Sequence, residues 1–435
     1  MTESSAAFVR RDMLPPQAPP ATQAGVLKWL RENLFSSPLN AVLTLAGAYV
    51  VWWLVAHSYP WLSHSVWNAG SLSECRAIIA ERWGADATGA CWAVIKERWH
   101  QYIFGFYPPE LYWRPISVFL LLFVALAPVL FSAVPRVLLV FTVVYPFLAT
   151  WLLWGGSPWI EVMILVGFVL GWAAFRIASR YGSLLAVSVA LAVPALWWVF
   201  AAGPMDRALE QAIRLAIEKV ASDKFGGFLL AVTIGVGGIA MSLPLGILLA
   251  LGRRSDMFLI KALSVGFIEF IRGVPLITLL FVASLLLNYF LPPGTNFDII
   301  LRVEILVTLF AAAYIAEVVR GGLAALPRGQ YEAADSLGLD YWKAQRLIIL
   351  PQALKISIPG IVSTFIGMFK DTTLVVFVGL FDPLKGISDF VRADFNWKGI
   401  YWEPYIFVGC IFFLFNFSMS RYSMYLENKL KRDHR

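Results

Sequence analysis

Charge is scarce in this sequence: Asp, Glu, Lys and Arg make up 14% of its 435 residues. Soluble domains average about 25%, so a water-soluble enzyme folded round a single core is excluded. Cysteine is nearly absent, with three residues, too few for a disulfide framework. The only histidines are His57, His64, His100 and His434, and none stands at metal-ligand spacing from a cysteine. No G-x-x-x-x-G-K-[ST] loop occurs, so the chain carries no phosphate cradle of that type. No nucleophile elbow and no paired carboxylate site for hydrolysis stands out. Catalysis is therefore not assigned to this chain.

Apolar residues, by contrast, reach 59%, with 18 Trp and 32 Phe. That composition excludes a disordered or collagen-like chain and leaves a polytopic membrane protein. The net charge of +7 does not indicate a nucleic-acid partner, because no Lys/Arg block stands apart from interleaved charge. It fits the basic excess of loops on one side of a membrane.

Stretches able to span a bilayer occur at 39–56, 116–134, 137–154, 159–175, 182–202, 228–252, 273–292, 299–319, 356–380 and 401–420. These ten are expected to be helices, since backbone in lipid must satisfy its own hydrogen bonds. Basic residues gather on one side of a ten-span topology: Arg10, Arg11, Lys28 and Arg31 before the first span, Arg136, Arg176, Arg180, Arg253, Arg254 and Lys261 in later loops, and the tail from Lys429 to Arg435. The loop 57–115 on the other side has five basic and five acidic residues. Both termini are thus expected in the cytoplasm.

The expected layout has five parts. Residues 1–38, with Pro15, Pro16, Pro19 and Pro20, read as a disordered cytoplasmic tail. Residues 39–203 form a five-helix extension with the outer loop 57–115. Residues 204–225 read as an amphipathic connector on the outer surface, with Leu209, Ile213, Ile217 and Val220 on one stripe. Residues 226–426 form a second five-helix unit, and 427–435 a short cytoplasmic tail. Cys75 and Cys91 share the outer loop, where they pair if that compartment is oxidising and otherwise stay free thiols; Cys410 lies in an apolar segment. Gly238, Ser242 and Gly246 recur every four residues, the spacing of close helix approach in lipid.

The inner loop 320–355 reads as folded. A helix is expected from Pro327 through Leu337, a turn at Gly338, which takes positive φ cheaply, and a second helix from Tyr341 to Leu350 that Pro351 ends. Ala333 and Ala334 are expected to form a flat docking face, with Glu332 as a fixed charge.

Within that loop stand Glu332-Ala333-Ala334, Gly338, Ile348 and Leu350-Pro351. Their spacing resembles the signature loop of the membrane subunits of bacterial ABC importers. The runs Phe270 to Leu276, Ala313 to Gly322, Pro327 to Gln330 and Phe369 to Leu374 resemble the polar amino acid permease subfamily. The resemblance covers about 226–426. The five-span extension, by length and layout, resembles the larger permeases of general L-amino acid and glutamate/glutamine/aspartate/asparagine importers.

The resemblance implies an all-α bundle of about ten spans with a five-helix importer core in the C-terminal half. It implies an inner-membrane permease, binding no cofactor itself, with ATP and Mg on a partner. Glu332, Ala333, Ala334, Gly338, Leu350 and Pro351 would dock that ATP-binding subunit, present in two copies. A second, homologous permease and a periplasmic amino-acid-binding protein would complete the complex. An ion-coupled secondary transporter and a membrane scaffold are the alternatives. Inverted repeats and broken helices at matched positions, which the former requires, are not apparent.

A polar amino acid needs partners of both signs, and ionisable groups inside spans are functional candidates. Lys370, Asp371 and Thr372 in the ninth span and Glu304 in the eighth are the candidates for a substrate path. A structural ion pair is the alternative for Lys370 and Asp371; Arg302 and Glu304 read rather as helix-end groups. Glu317 with Arg320, and Glu269 with Arg272, are two i, i+3 pairs near the inner boundary, read as gate or interface elements. Phe310-Ala311-Ala312 and Ser363-Thr364 stand where many relatives carry polar residues, which leaves open whether this subunit or its partner holds the substrate site.

Overall fold

A computed structural model describes residues 25–131, 133–290 and 298–432. These residues form helices joined by short irregular segments, with four isolated β-bridges and no sheet. The chain divides into two compact units, one ending at Ala93 and the other running Val94–Arg435.

The first unit holds α1 (Gly25–Asn33), α2 (Pro38–Ser63) and α3 (Leu72–Trp83). Ser37 caps α2 by accepting from the Asn40 amide, and Pro38 fits the first turn, where its missing N–H costs nothing. Ser71 caps α3 in the same way. A disulfide joins Cys75 to Cys91, Cα to Cα 6.2 Å, and Val66 pairs with Cys91 and Ala90 beside it.

The second unit continues with α4 (Ala93–Phe104), α5 (Trp113–Leu130), α6 (Leu139–Trp154), α7 (Pro158–Ala178), α8 (Ser183–Leu196), α9 (Ala202–Ala212), α10 (Gly227–Arg253), α11 (Phe258–Gly273) and α12 (Leu276–Phe290). Then come α13 (Ile299–Ala324), α14 (Arg328–Ser336), α15 (Tyr341–Ala344), α16 (Leu350–Asp371), α17 (Pro383–Ala393) and α18 (Trp402–Arg432). Among the described residues nine helices are long and apolar enough to cross a membrane. A tenth crossing arises if α11 and α12, bent by 102° at Val274-Pro275, make one span. The seventh expected span, 273–292, starts at this bend and corresponds to α12, with α11 before it: Pro275 cannot donate a helical hydrogen bond, and the chain turns there.

Two prolines expected to mark boundaries do not end their helices. The expected stop at Pro351 is corrected: α15 runs through a π turn, Gln345–Ile349, directly into α16. The expected break at Pro204 is corrected likewise, because α8 runs through a π turn, Trp197–Ala201, into α9. In each π turn the next amide reaches back five residues, Leu350 to Gln345 and Ala202 to Trp197. The carbonyl that a proline leaves unpaired, four residues back, falls inside the wider turn, which also relieves the ring clash.

The amphipathic helix expected over 204–225 stops at Ala212. Glu210 Oε1 accepts the amides of Leu215 and Ala216 at 3.1 and 3.0 Å and reverses the chain. Ile217 then exchanges two backbone hydrogen bonds with Gly156, and the Val220 amide donates to Trp154. Tertiary backbone pairing with the α6–α7 turn replaces the helix. Val220 turns into the main core, which mixes α5 and α6 (Val118, Leu122, Tyr145, Leu152) with α10 and α13 (Leu230, Ile234, Val303, Val307).

α10 and α13 pack closely because Gly238, Ser242 and Gly246 are buried along α10. A Cβ at Gly246 would stand 2.7 Å from Ile315 Cγ2 and 2.9 Å from the Ala312 carbonyl oxygen. At Gly409 in α18 a Cβ would meet nothing within 4 Å. Gly246→Ala is expected to lower the apparent melting temperature in detergent by several degrees, whereas Gly409→Ala leaves it unchanged or raises it. Size-exclusion chromatography after a thermal ramp reads both; equal behaviour of the two variants would refute the close-packing account.

Candidate functional site

The ends of four long helices, α10, α11, α13 and α16, and the short helix α14 form the site. Pro327, in extended conformation, starts α14, and Gly338 ends the turn after it at φ +66°, a backbone state that a side chain makes costly. Asp340 then caps α15, accepting from the Lys343 amide at 2.9 Å and from Lys343 Nζ at 2.9 Å. The Lys343 hydrogen bonds hold the Asp340 carboxyl below its usual range.

Glu332 and Ala333 lie on the surface of α14, while Ala334 is 1% exposed and packs inward. The flat face expected from both alanines is corrected: successive helical residues are 100° apart, and only Ala333 faces out. The surface beside it is apolar, with Leu337 at 72% and Trp342 at 66% exposure, joined by Tyr341 and Leu347. Leu350 is half-buried against a core of Leu323, Leu326, Ile349 and Ala353, and Pro351 is exposed.

α14 is tied to three long helices. Tyr331 Oη accepts from Arg254 Nη1 at 2.8 Å, and the Arg254 guanidinium lies 5.3 Å from the Tyr331 ring centroid. Arg254 also donates to the Leu323 carbonyl at the end of α13. Gln352 Nε2 donates to Gln330 Oε1 at 2.9 Å, linking α14 to α16. A push on α14 therefore reaches α10, α13 and α16 through polar contacts of known geometry.

One turn deeper lies an ion cluster. Glu317 on α13 accepts from Arg253 Nη1 at 2.7 Å, from Arg320 Nη2 at 3.0 Å, and pairs with Arg272 Nη1 at 3.4 Å. Arg253 also binds Glu269 at 2.8 Å, and Arg272 lies over the Tyr314 ring. The structure thus joins the two expected pairs, Glu317/Arg320 and Glu269/Arg272, into one network. Arg253 is the hub that sequence reasoning missed. Its position at the end of a long apolar run was the available signal, but it read only as orienting charge. Arg254, Tyr331, Gln330 and Gln352 were missed as well, since their roles depend on which helix ends meet.

The candidates for a substrate path are not joined in this way. Among the described residues both carboxylate oxygens of Glu304 are buried without a hydrogen-bond partner, against Gly237 of α10, so no bond links them to Lys370 or Asp371. Arg302 donates to the Ser284 carbonyl at 3.2 Å. Lys370 is exposed and Asp371 half-buried at the end of α16. Thr372 is 1% exposed and donates to Phe369 O at 2.8 Å, a bond within its own helix end. Among the described residues no group of three His, Cys, Asp or Glu could hold a metal ion.

Residues 242–432 match the family model described as binding-protein-dependent transport system inner membrane component. The chain is similar to the glutamate/glutamine/aspartate/asparagine transport system permease protein BztC of Rhodobacter capsulatus, 68% identical over 99% of this chain and 100% of the relative. It is also similar to the inner membrane amino-acid ABC transporter permease protein YhdY of Escherichia coli, 38% identical over 95% and 96%. Among solved structures, an amino acid ABC transporter crystallised with histidines is 28% identical, covers 46% of this chain and 91% of that one, and has a TM-score of 0.41.

Glu317 is the shared partner of three arginines, so their energies are coupled. Arg253→Gln and Glu317→Gln are each expected to destabilise the folded chain, and the double variant to cost less than their sum by about 0.5–3 kcal/mol. Thermal unfolding of the four proteins in one detergent checks this; strict additivity would refute the network.

Proposed function

We propose a transport role from one premise: the chain belongs to the binding-protein-dependent transport inner membrane components, the permease subunits of ABC importers. It is a non-catalytic, multi-pass inner-membrane subunit of an amino-acid importer, and ATP hydrolysis occurs on a separate subunit. Family membership implies an ATPase, a second permease and a periplasmic binding protein as partners. Our reading goes further: the cargo is the polar L-amino acids named for the Rhodobacter relative, the ATPase is present in two copies, and the second permease is non-identical. Both termini lie in the cytoplasm, on the side of α14.

The observation that carries the reading is α14 itself. Its outer surface offers Glu332 and Ala333 beside exposed Leu337, Tyr341 and Trp342, while its inner surface is bonded to α10, α13 and α16. Such an element suits a lever. Closure of the ATPase dimer moves α14, and the Tyr331–Arg254 and Gln330–Gln352 ties carry that motion into the span ends. The Glu317 cluster holds α10, α11 and α13 together at the inner boundary and is the natural latch of the inward gate. Alternating access is then a two-state equilibrium, biased by nucleotide on one side and by loaded binding protein on the other. Glu304, a carboxylate with no hydrogen-bond partner among the described residues, is proposed to meet the substrate ammonium on its path, with Lys370 and Asp371 nearer the helix end. The spans α5 and α6 brace the core, a reading supported by their packing into it.

Two measurements test this. A mild-detergent pull-down of the tagged chain from its native membrane is expected to bring down an ATP-binding subunit and a second, shorter permease; recovery of the chain alone would refute the reading. Gly338→Asp places a side chain at φ +66° on the docking element. It is expected to leave membrane insertion intact while uptake of glutamine and glutamate falls at least tenfold and ATP hydrolysis no longer responds to loaded binding protein. Normal uptake in that variant would count against docking through this loop.

A further inference from the structure

α11 and α12 follow one another in the chain but run differently against their neighbours. Arg272, at the end of α11, pairs with Glu317 Oε2 at 3.4 Å and lies 5.8 Å from the Tyr314 ring centroid. In α12 the Ser284 carbonyl accepts from Arg302. From residue 272 to 284 the chain thus advances by twelve, while its partner on α13 falls back by twelve, from 314 to 302. α12 therefore runs antiparallel to α13, step for step, and crosses with it.

Over the preceding twelve residues, from Ile260 to Arg272, the partners hardly change level. A Cβ at Gly252 of α10 would meet both Ile260 and Ser264. Glu269 pairs with the next residue of α10, Arg253, at 2.8 Å. Arg253 in turn bonds Glu317, the partner of Arg272. Twelve residues of helix rise about 18 Å. α11 must spend that length running across α10 and α13 near their C-terminal ends, and the bend of 102° turns it away from the direction of α12.

At 100° per residue the side chains of α11 fall into three stripes about 120° apart. Ser264, Ile268 and Ile271 are buried against the bundle. Lys261, Glu269 and Arg272 form a charged stripe. Leu259, Leu263 and Phe270, at i, i+4 and i+11, form the third and are 66%, 65% and 63% exposed. A crossing helix would carry its charged stripe into hydrocarbon, which is costly. A helix lying at a bilayer boundary needs one apolar side and one charged side, and α11 has both beside the side that the bundle occupies.

We propose that α11 lies in the plane of the inner leaflet and does not cross it, with Leu259, Leu263 and Phe270 on phospholipid acyl chains and Lys261 toward the headgroups. α12 alone then makes the crossing. That the leaflet is the inner one rests on the transport reading, which puts α14 in the cytoplasm; the in-plane seat of α11 does not. Glu269 and Arg272 belong to the same helix, so the lipid under the apolar stripe also holds two members of the ion cluster in position.

The test uses the purified complex with Cys410→Ser, which removes the free thiol, and with Leu259→Cys, Leu263→Cys or Phe270→Cys. Each cysteine carries a bimane fluorophore, and samples eluting like the parent on size exclusion enter liposomes of phosphatidylethanolamine and phosphatidylglycerol. Quenching is compared between phospholipid brominated near the headgroup and phospholipid brominated near the chain end. All three labels are expected to be quenched, each about twofold or more strongly by the shallow bromine. A crossing helix would place residue 270 about 16 Å deeper than residue 259. Quenching would then pass from the shallow to the deep bromine along the series, and that gradient would overturn the proposal. No quenching at any of the three would overturn it as well, because a protein partner would then cover the stripe. Stimulation of ATP hydrolysis by loaded binding protein, measured on the same liposomes, bears on the transport reading alone, so the two fail separately.

Discussion

Backbone amides and carbonyls in hydrocarbon have no water to bond, and the rest of this structure depends on that constraint. It admits only helices across the lipid, and it decides how prolines are handled inside them. Pro351 and Pro204 each lack the amide that would close a helical turn, yet the chain does not break at either. The π turns just before them reassign the bonds, so the helix continues into or out of the membrane. At Val274-Pro275 no such turn is present, and the helix axis swings by 102° instead. The same residue type thus lies within a continuous helix in one place and at a sharp bend in another.

Continuity matters because α15 and α16 make one rod from the loop after α14 to Asp371. A rod transmits displacement along its length, whereas a linker would absorb it. α14 is bonded to that rod through Gln330 and Gln352, and to α10 and α13 through Arg254 and Tyr331. The ion cluster lies where these helices converge. Three arginines surround two glutamates there, and Glu317 is only 16% exposed at its side chain. A half-buried network of this kind adds little net stability, because desolvation offsets attraction. Its value lies in specifying one arrangement of helix ends.

On the opposite face the extension and the core are stitched by a different device. Trp154 Nε1 donates to Ser222 Oγ at 2.7 Å, and Ser222 donates in turn to Asp298, which also caps α13 through the amides of Ile300 and Leu301. Arg114 donates to Glu218 O, and Tyr107 to Leu153 O. The segment after α9 therefore serves as a strap across the helix ends, not as the surface-lying helix its apolar stripe suggested. Its apolar positions are real, but Val220 spends its side chain on the core of the bundle and not on lipid.

By itself the sequence determined the class of protein and its long apolar helices, and it marked the loop from Glu332 to Pro351 as folded. Long apolar runs must be helices in lipid, and the spacing from Glu332 to Pro351 is a local pattern that survives in one dimension. Gly338 was legible because a turn after a helix needs positive φ, which glycine adopts at little cost. Only the tertiary structure decided what those helices share. That Arg253 sits between Glu269 and Glu317, that Ala334 faces inward, and that Arg98 pairs with Asp394 are facts about residues 16 to 296 apart in the chain or about helical phase. A side chain's partner across such distances is set by how the helices pack, and packing is a property of surfaces brought together, which a linear order of residues does not contain.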